Sequence, residues 1–373
     1  MVFGLLLPFG LLLSACEGGG DPVVAPSPPP PRVIPALIGA DISALERIEQ
    51  GGAIFRDGGV AGDAIVILRA NGATMFRLRV FVNPNGTEVQ VNDLPYTVRM
   101  ATRIKASGAR LLLDFHYSDT WADPAHQDTP AAWAALGIDS LEAQVERYTD
   151  SVITVLKAAG ALPDIVQVGN EVDGGMLWPL GRLRYDADSL ASWDRFTRLL
   201  RAGVRGVRSA LAPADTVRIM VQYSQGASLG GTRWFFDHVA ARGVDFDMIG
   251  LSYYPWWHGG LAELSANLRD AALRFDSDVM VVEAAYPWRT GDWEGMVSNS
   301  AAMIWPATHT GQRQYLTAVV DAVAAVPGGR GAGVMWWYPE AVPVPGLFVW
   351  VNGALALFDG TGNLLPAIAA FRP

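Results

Sequence analysis

The chain has 373 residues, half of them hydrophobic, a formal charge of −9 and a single cysteine. It is long and apolar enough to bury a large core, which excludes a disordered chain. The acidic balance is spread along the sequence without blocks, and no lysine or arginine cluster occurs that could track a phosphate backbone, so nucleic acid is excluded as a partner.

The chain opens on an apolar run, "GLLLPFGLLLSAC", too short to stay in a bilayer as a spanning helix. It reads as a signal peptide over residues 1–16. Its last residues, Leu13, Ser14, Ala15 and Cys16, resemble a bacterial lipoprotein signal, in which cleavage before the cysteine frees an amino group and lipid is attached there and to the sulfur. A Gly/Pro-rich linker over residues 17–35 fits a tether. The expectation is an exported lipoprotein at the cell surface or facing the periplasm, touching the membrane only through Cys16. With that cysteine modified no thiol remains, so the fold has no disulfide to rely on.

From residue 36 to the end, short apolar runs alternate with longer amphipathic stretches, which is a β/α rhythm. The strand candidates are "ALIGADIS", "TMFRLRVF", "RLLLDFHY", "DIVQVGN", "TVRIMVQY", "DMIGLSYY", "DVMVVEAAY" and "GVMWWYP". Helix-like stretches such as "TVRMATRIKASG", "SLEAQVERYTDSVITVLKAAG" and "QRQYLTAVVDAVAAV" lie between them. Eight such units predict a single (β/α)8 TIM barrel over residues 36–373. A doubly wound sheet is disfavoured, because "GADIS" continues without a glycine-rich phosphate turn.

In such a barrel the C-terminal strand ends converge on one mouth. Asn170 and Glu171 fall at the end of the fourth strand and Glu283 near the end of the seventh, so two carboxylates can face one cleft. Paired carboxylates suit glycoside hydrolysis, with one protonating the leaving oxygen and the other attacking the anomeric carbon. Retention of configuration would put the two groups about 5 to 5.5 Å apart. Arg79, in "FRLRVF", is a guanidinium that could hold the attacking carboxylate ionised. The block "DFHYSDTWADP" gathers Asp114, His116, Tyr117, Asp119, Trp121 and Asp123, which is poor core material. His116 and His126 do not make a metal pair, since the five histidines show no H-x-H or H-x-x-x-H spacing. The chain has 13 tryptophans, and the aromatics of "SYYPWWHG" and "MWWYPE" suit sugar-stacking walls.

Together with "GADIS", "FRLRVFVNP", "LLLDFHYSDTWADPAHQDTPAAW", "VQVGNEVDGGMLWP", "VVEAAYPW" and "ALFDGTGNLLPAIAAF", these stretches resemble the endo-β-1,4-galactanases of glycoside hydrolase family 53. The resemblance spans nearly the whole chain after the linker. It implies an extracellular, retaining endo-hydrolase acting on the β-1,4-linked galactose of type I arabinogalactan in pectin. It implies Glu171 as acid/base, Glu283 as nucleophile and Asn170 as partner of the sugar 2-hydroxyl. It further places Arg79, His116, Asp119, Trp121, Tyr253, Trp257 and His258 around the substrate, and Asp114 of the polar block and Trp337 of "MWWYPE" join them as substrate-binding candidates.

Two departures stand out. Where the family commonly has Tyr-Trp-Glu-Pro after strand eight, this chain has Trp336, Trp337, Tyr338 and Pro339. Some relatives hold a structural calcium in the long connection before strand eight, but here residues 288–311 contain only Asp292 and Glu294 as acids, too few to support a Ca²⁺ cage. No cofactor is expected, the partner is a polysaccharide, and the protein should act as a monomer. The residues alone leave open a related endo-β-glycanase, such as a mannanase or glucanase, and a non-catalytic glycan-binding lipoprotein.

Overall fold

Eight parallel strands close on themselves in chain order in a computed structural model that describes residues 32–373 together with Met1, Val2 and Gly4. They are β1 (Leu37–Asp41), β2 (Met75–Val80), β3 (Arg110–Phe115), β4 (Ile165–Val168), β5 (Arg218–Tyr223), β6 (Met248–Tyr253), β7 (Asp278–Ala284) and β8 (Gly331–Trp337). The barrel is sealed between β1 and β8, where Leu37 stands beside Gly333 and Asp41 beside Trp337. Residues 33–373 form one compact unit; Cys16 and the linker residues before Arg32 lie outside the described residues. All eight expected strands are present; seven are shorter than their apolar runs, and β8 keeps the length of its run but begins and ends two residues earlier.

The helices are α1 (Leu45–Gln50), α2 (Ala64–Ala70), α3 (Leu94–Ala106), α4 (Ile138–Ala158), α5 (Ser189–Ser209), α6 (Leu229–Ala241), the single turn α7 (Pro255–His258), α8 (Leu261–Phe275) and α9 (His309–Ala324). Each long helix has one apolar face. In α4, Leu141, Val145, Val152, Ile153 and Leu156 recur at helical spacing and are buried. Local chemistry sets the start of α3: the Asp93 carboxylate accepts the Tyr96 N–H at 2.8 Å, and Pro95 occupies the first turn, where its missing donor costs nothing. Helices α4 and α5 approach closely because Gly206 has no side chain; a Cβ there would stand 2.5 Å from the Glu146 carbonyl oxygen.

Strand alternation divides the core in two. Phe76, Leu78 and Val80 of β2 face the helices, whereas Met75 joins an inner cluster with Leu37, Leu112, Ile165, Met220, Met248, Met280, Val282 and Met335. That cluster plugs the lower barrel with thioethers and aliphatic groups. Moving two residues toward the mouth gives Arg77, Asp114, Gln167 and Gln222, and four residues beyond Leu37 and Met248 come Asp41 and Ser252; all six are buried. The upper barrel is therefore polar, sits on a dry apolar floor, and must satisfy its own hydrogen bonds.

Gly39 belongs to the inward set of β1, and a methyl there would come within 1.7 Å of the Met75 carbonyl oxygen across the β1–β2 seam. Gly39→Ala is expected to destabilise the fold by about 2 kcal/mol or more. The midpoint of thermal unfolding reads this directly, and an unchanged midpoint would mean that the seam can spread.

Candidate active site

Glu283 reaches the barrel interior through an irregularity in β7. The β6–β7 register runs from Leu251 opposite Val281 to Ser252 opposite Glu283, so Val282 is an extra residue. Met280 and Val282 both face inward. Strict alternation would then send Glu283 toward the helices, and the bulge turns it back into the barrel. Its carboxylate meets Arg77 Nη1 at 2.9 Å and accepts Gln222 Nε2 at 3.1 Å and the Tyr254 hydroxyl at 2.9 Å.

Arg77 is the hub of the polar layer. Its guanidinium is wholly buried and also pairs with Asp41 at 3.1 Å and Asp114 at 2.9 Å, while donating to Asn170 Oδ1 at 2.7 Å. Three carboxylates on three other strands thus converge on one fixed cation, an arrangement that a planar fork of five donors can satisfy and a lysine cannot.

Glu171 lies beyond β4, which stops at Val168. Gly169 and Glu171 both have left-handed backbones, with φ of 86° and 45°. For glutamate that conformation is strained, and surrounding bonds hold it. Its N–H donates to Gln222 Oε1 at 3.1 Å, its carbonyl accepts Gln127 Nε2 at 3.2 Å, and its carboxyl accepts the Ser252 hydroxyl at 2.6 Å. Because Gln222 Nε2 also donates to Ser252 Oγ at 2.9 Å, two side chains, Ser252 and Gln222, link the carboxyls of Glu171 and Glu283.

The two carboxyls differ in their surroundings. Burial raises the pKa of each. At Glu283 the strongest opposing influence is Arg77, backed by hydrogen bonds from Gln222 and Tyr254. At Glu171 the second cause, after burial, is the charge of Glu283, which pushes the same way, and Arg77 acts only weakly. These influences favour the proton on Glu171 and the negative charge on Glu283.

Above both carboxyls opens a cleft of about 510 Å³. His116, Trp121, Asn170, Tyr254, Trp257, His258, Trp337, Phe348 and Trp350 line it with Ser224 and Gln225. His116 Nδ1 accepts the Ala122 N–H at 2.9 Å, so the ring proton is on Nε2, 3.1 Å from Asp114. Burial lowers the pKa of His258 to about 4, which keeps it neutral and able to accept the Tyr254 N–H at 3.2 Å.

A family model described as Glycosyl hydrolase family 53 matches residues 37–371. The chain belongs to that family. It is 39% identical over 351 residues to an uncharacterized protein from the bgaB 5′ region of Niallia circulans, covering 90% of this chain and 93% of that protein. It is 36% identical over 340 residues to a probable arabinogalactan endo-beta-1,4-galactanase A of Aspergillus terreus, covering 89% and 93%. The solved GH53 catalytic domain of Ignisphaera aggregans superposes with a TM-score of 0.83 at 31% identity, covering 92% of this chain and 99% of that one.

Of the residues expected around a family 53 cleft, Glu171, Glu283, Asn170, His116, Trp121, Trp257, His258 and Trp337 are brought together. Four stand elsewhere. Arg79 was expected at the attacking carboxylate, but that partner is Arg77, one layer deeper on the same strand face. The Arg79 guanidinium lies 3.8 Å from Asp41 and backs the Trp121 ring at 4.3 Å. Asp114 lies in the buried polar layer below the cleft, bound to Arg77. Asp119 braces loops by accepting the N–H groups of Asn83 and Ala131, both at 2.9 Å. Tyr253 alternates outward from Ser252, stacks on Tyr315 and donates to the Gly259 carbonyl at 3.2 Å; its neighbour Tyr254 faces the cleft instead.

Arg77, Gln222, Ser252, Tyr254, Phe348 and Trp350 were not singled out from the sequence. Counting inward positions from Met75 would have found Arg77. Tyr338 takes a left-handed turn with φ of 58°, and it lines the cleft. The 288–311 connection does not fit a calcium ion: Asp292 is paired with Arg289 at 2.9 Å, and Glu294 accepts the Gly291 N–H at 2.6 Å. Among the described residues no group of three or more His, Cys, Asp or Glu could hold a metal.

Arg77→Lys keeps the charge but loses the fork, and is expected to lower kcat about a hundredfold or more. Arg79→Lys touches neither carboxyl and should cost less than about tenfold. Steady-state rates on one polysaccharide decide this, and equal losses would contradict the distinction.

Proposed function

We propose that this family 53 protein is an arabinogalactan endo-β-1,4-galactanase that retains anomeric configuration, with Glu283 as nucleophile and Glu171 as acid/base. The observation that carries this is the unequal pairing of two buried carboxyls in one cleft, with Arg77 and Tyr254 on Glu283 and a single hydroxyl donor on Glu171. Glu283 attacks the anomeric carbon as Glu171 passes its proton to the departing glycosidic oxygen, giving a glycosyl ester and a free chain end. Glu171, now ionised, takes a proton from water, the water oxygen attacks the same carbon, and the ester bond to Glu283 breaks. Every proton and electron pair moves among two carboxyls, sugar and water, so the chemistry calls on no cofactor.

Trp121, Trp257, Trp337, Phe348 and Trp350 offer flat faces for the apolar sides of galactose rings, and Asn170, fixed between Arg77 and the Ala122 carbonyl, is placed to bond a sugar hydroxyl. The named relative from Aspergillus terreus supports β-1,4-galactan over mannan or glucan as substrate. Two differentiated carboxyls favour turnover over a binding protein.

The same proposal includes export as a monomeric lipoprotein tethered through Cys16, supported by "LSAC" and the Gly/Pro-rich stretch after it.

Glu283→Gln is expected to lower turnover of linear β-1,4-galactan at least about a thousandfold while galactan still binds. Glu171→Ala should slow natural galactan far more than an activated aryl galactoside, whose leaving group needs no proton; equal slowing would remove Glu171 from the acid role. For localisation, Cys16→Ser should move the protein from the membrane fraction to the soluble one, and unchanged fractionation would refute the anchor.

A further inference from the structure

The turn that carries Glu171 contains a second carboxyl that the mechanism does not use. Asp173 belongs to the single turn Val172–Gly174 directly after Glu171. Although the residue is only half-buried, its carboxyl is turned in onto the end of β5, where it accepts the Ser224 N–H at 2.8 Å and the Ser224 hydroxyl. Ser224 and the adjacent Gln225, whose amide donates to Ser224 Oγ at 3.0 Å, are part of the cleft wall. Among the described residues, no lysine, arginine or histidine comes within ion-pair distance of Asp173. The groups facing it are Glu171 from its own turn, Tyr223 and Ser224 from the end of β5, and Tyr185 from the following loop. Glu171 in turn faces Glu283, Tyr254, Ser252 and Arg77.

We infer that Asp173 is a positioning residue for the acid: its bonds to Ser224 hold the turn that aims Glu171, and its carboxylate sets a second negative charge in the same turn. The inference rests on Glu171 being the general acid. The sign follows from electrostatics, since a like charge opposes ionisation of its neighbour. Burial raises the pKa of Asp173 itself to about 6. Its charge is therefore absent in acid and appears as the pH rises through that value. The two carboxyls titrate as a coupled pair, and each proton lost from one makes the next harder to remove.

Asp173→Asn tests this with little change of shape, because the amide oxygen still accepts the Ser224 N–H while the charge is gone. The alkaline limb of kcat/KM on galactan reports the acid in the free enzyme. It should move down by about half a pH unit or more in Asp173→Asn and return toward wild type in Asp173→Glu. A limb that stays in place in Asp173→Asn overturns the inference, as does an equal shift in the Asn and Glu variants, since charge would not then be the cause. If Asp173→Asn does not fold, carboxyl ¹³C NMR of the wild-type chain reads the coupling instead. The Glu171 signal should inflect where Asp173 titrates, and a single smooth step would overturn the inference. Failure of the acid assignment is seen separately, as loss of the leaving-group dependence of Glu171→Ala.

Discussion

A buried arginine is costly unless its charge is met, and the upper half of this barrel is arranged around meeting it. Arg77 of β2 binds Asp41 of β1, Asp114 of β3 and Glu283 of β7, and each of those carboxylates is itself too deeply buried to stand without a cation. The four groups form one electrostatic unit across the barrel. Its dry floor of methionine and aliphatic side chains strengthens every interaction above it by keeping water out. Removing Arg77 leaves three buried carboxylates without the cation they share, so the stability of the barrel and the state of Glu283 are tied to the same contacts.

From this unit follows the difference between the two glutamates. Glu283 touches the cation and Glu171 does not, so the burial that raises the pKa of both carboxyls is strongly opposed at only one. Gln222 and Ser252 carry the distinction across the gap, donating to both carboxyls through a short chain of hydrogen bonds. Two departures from regular backbone put the carboxyls there: a bulge at Val282 turns Glu283 inward, and a left-handed residue after Gly169 lets Glu171 leave its strand and still face the cleft. Strained or irregular backbone concentrates where chemistry is placed, and here the surrounding bonds hold it.

Much of this was legible in the sequence because strands and helices announce themselves by period. The eight apolar runs, the helices between them and the barrel they imply depend on local patterning that short windows contain. Glu171, Glu283, Asn170, Trp121, Trp257, His258 and Trp337 were legible as cleft residues because they end strands or follow them, and His116 because it lies in a block too polar for core. Arg79 and Tyr253 were misplaced for a different reason. In "FRLRVF" both arginines share one face, and nothing in the string says which layer a carboxylate from β7 will reach. In "SYYPW" the phase of alternation chooses Tyr254 over Tyr253 only once Ser252 is known to point inward.

The sequence by itself determined the fold class, the family and the two glutamates that meet in the cleft, because each is written in residue type and spacing along the chain. Tertiary structure alone decided which arginine meets Glu283, that Glu171 stands apart from that cation, and that Asp119 braces loops instead of lining the cleft. Those outcomes depend on distances between strands remote in sequence and on how much water each group loses. A bulge of one residue, invisible in the period of β7, reverses the side on which Glu283 appears, so the chemistry of the site exists only when the barrel has closed.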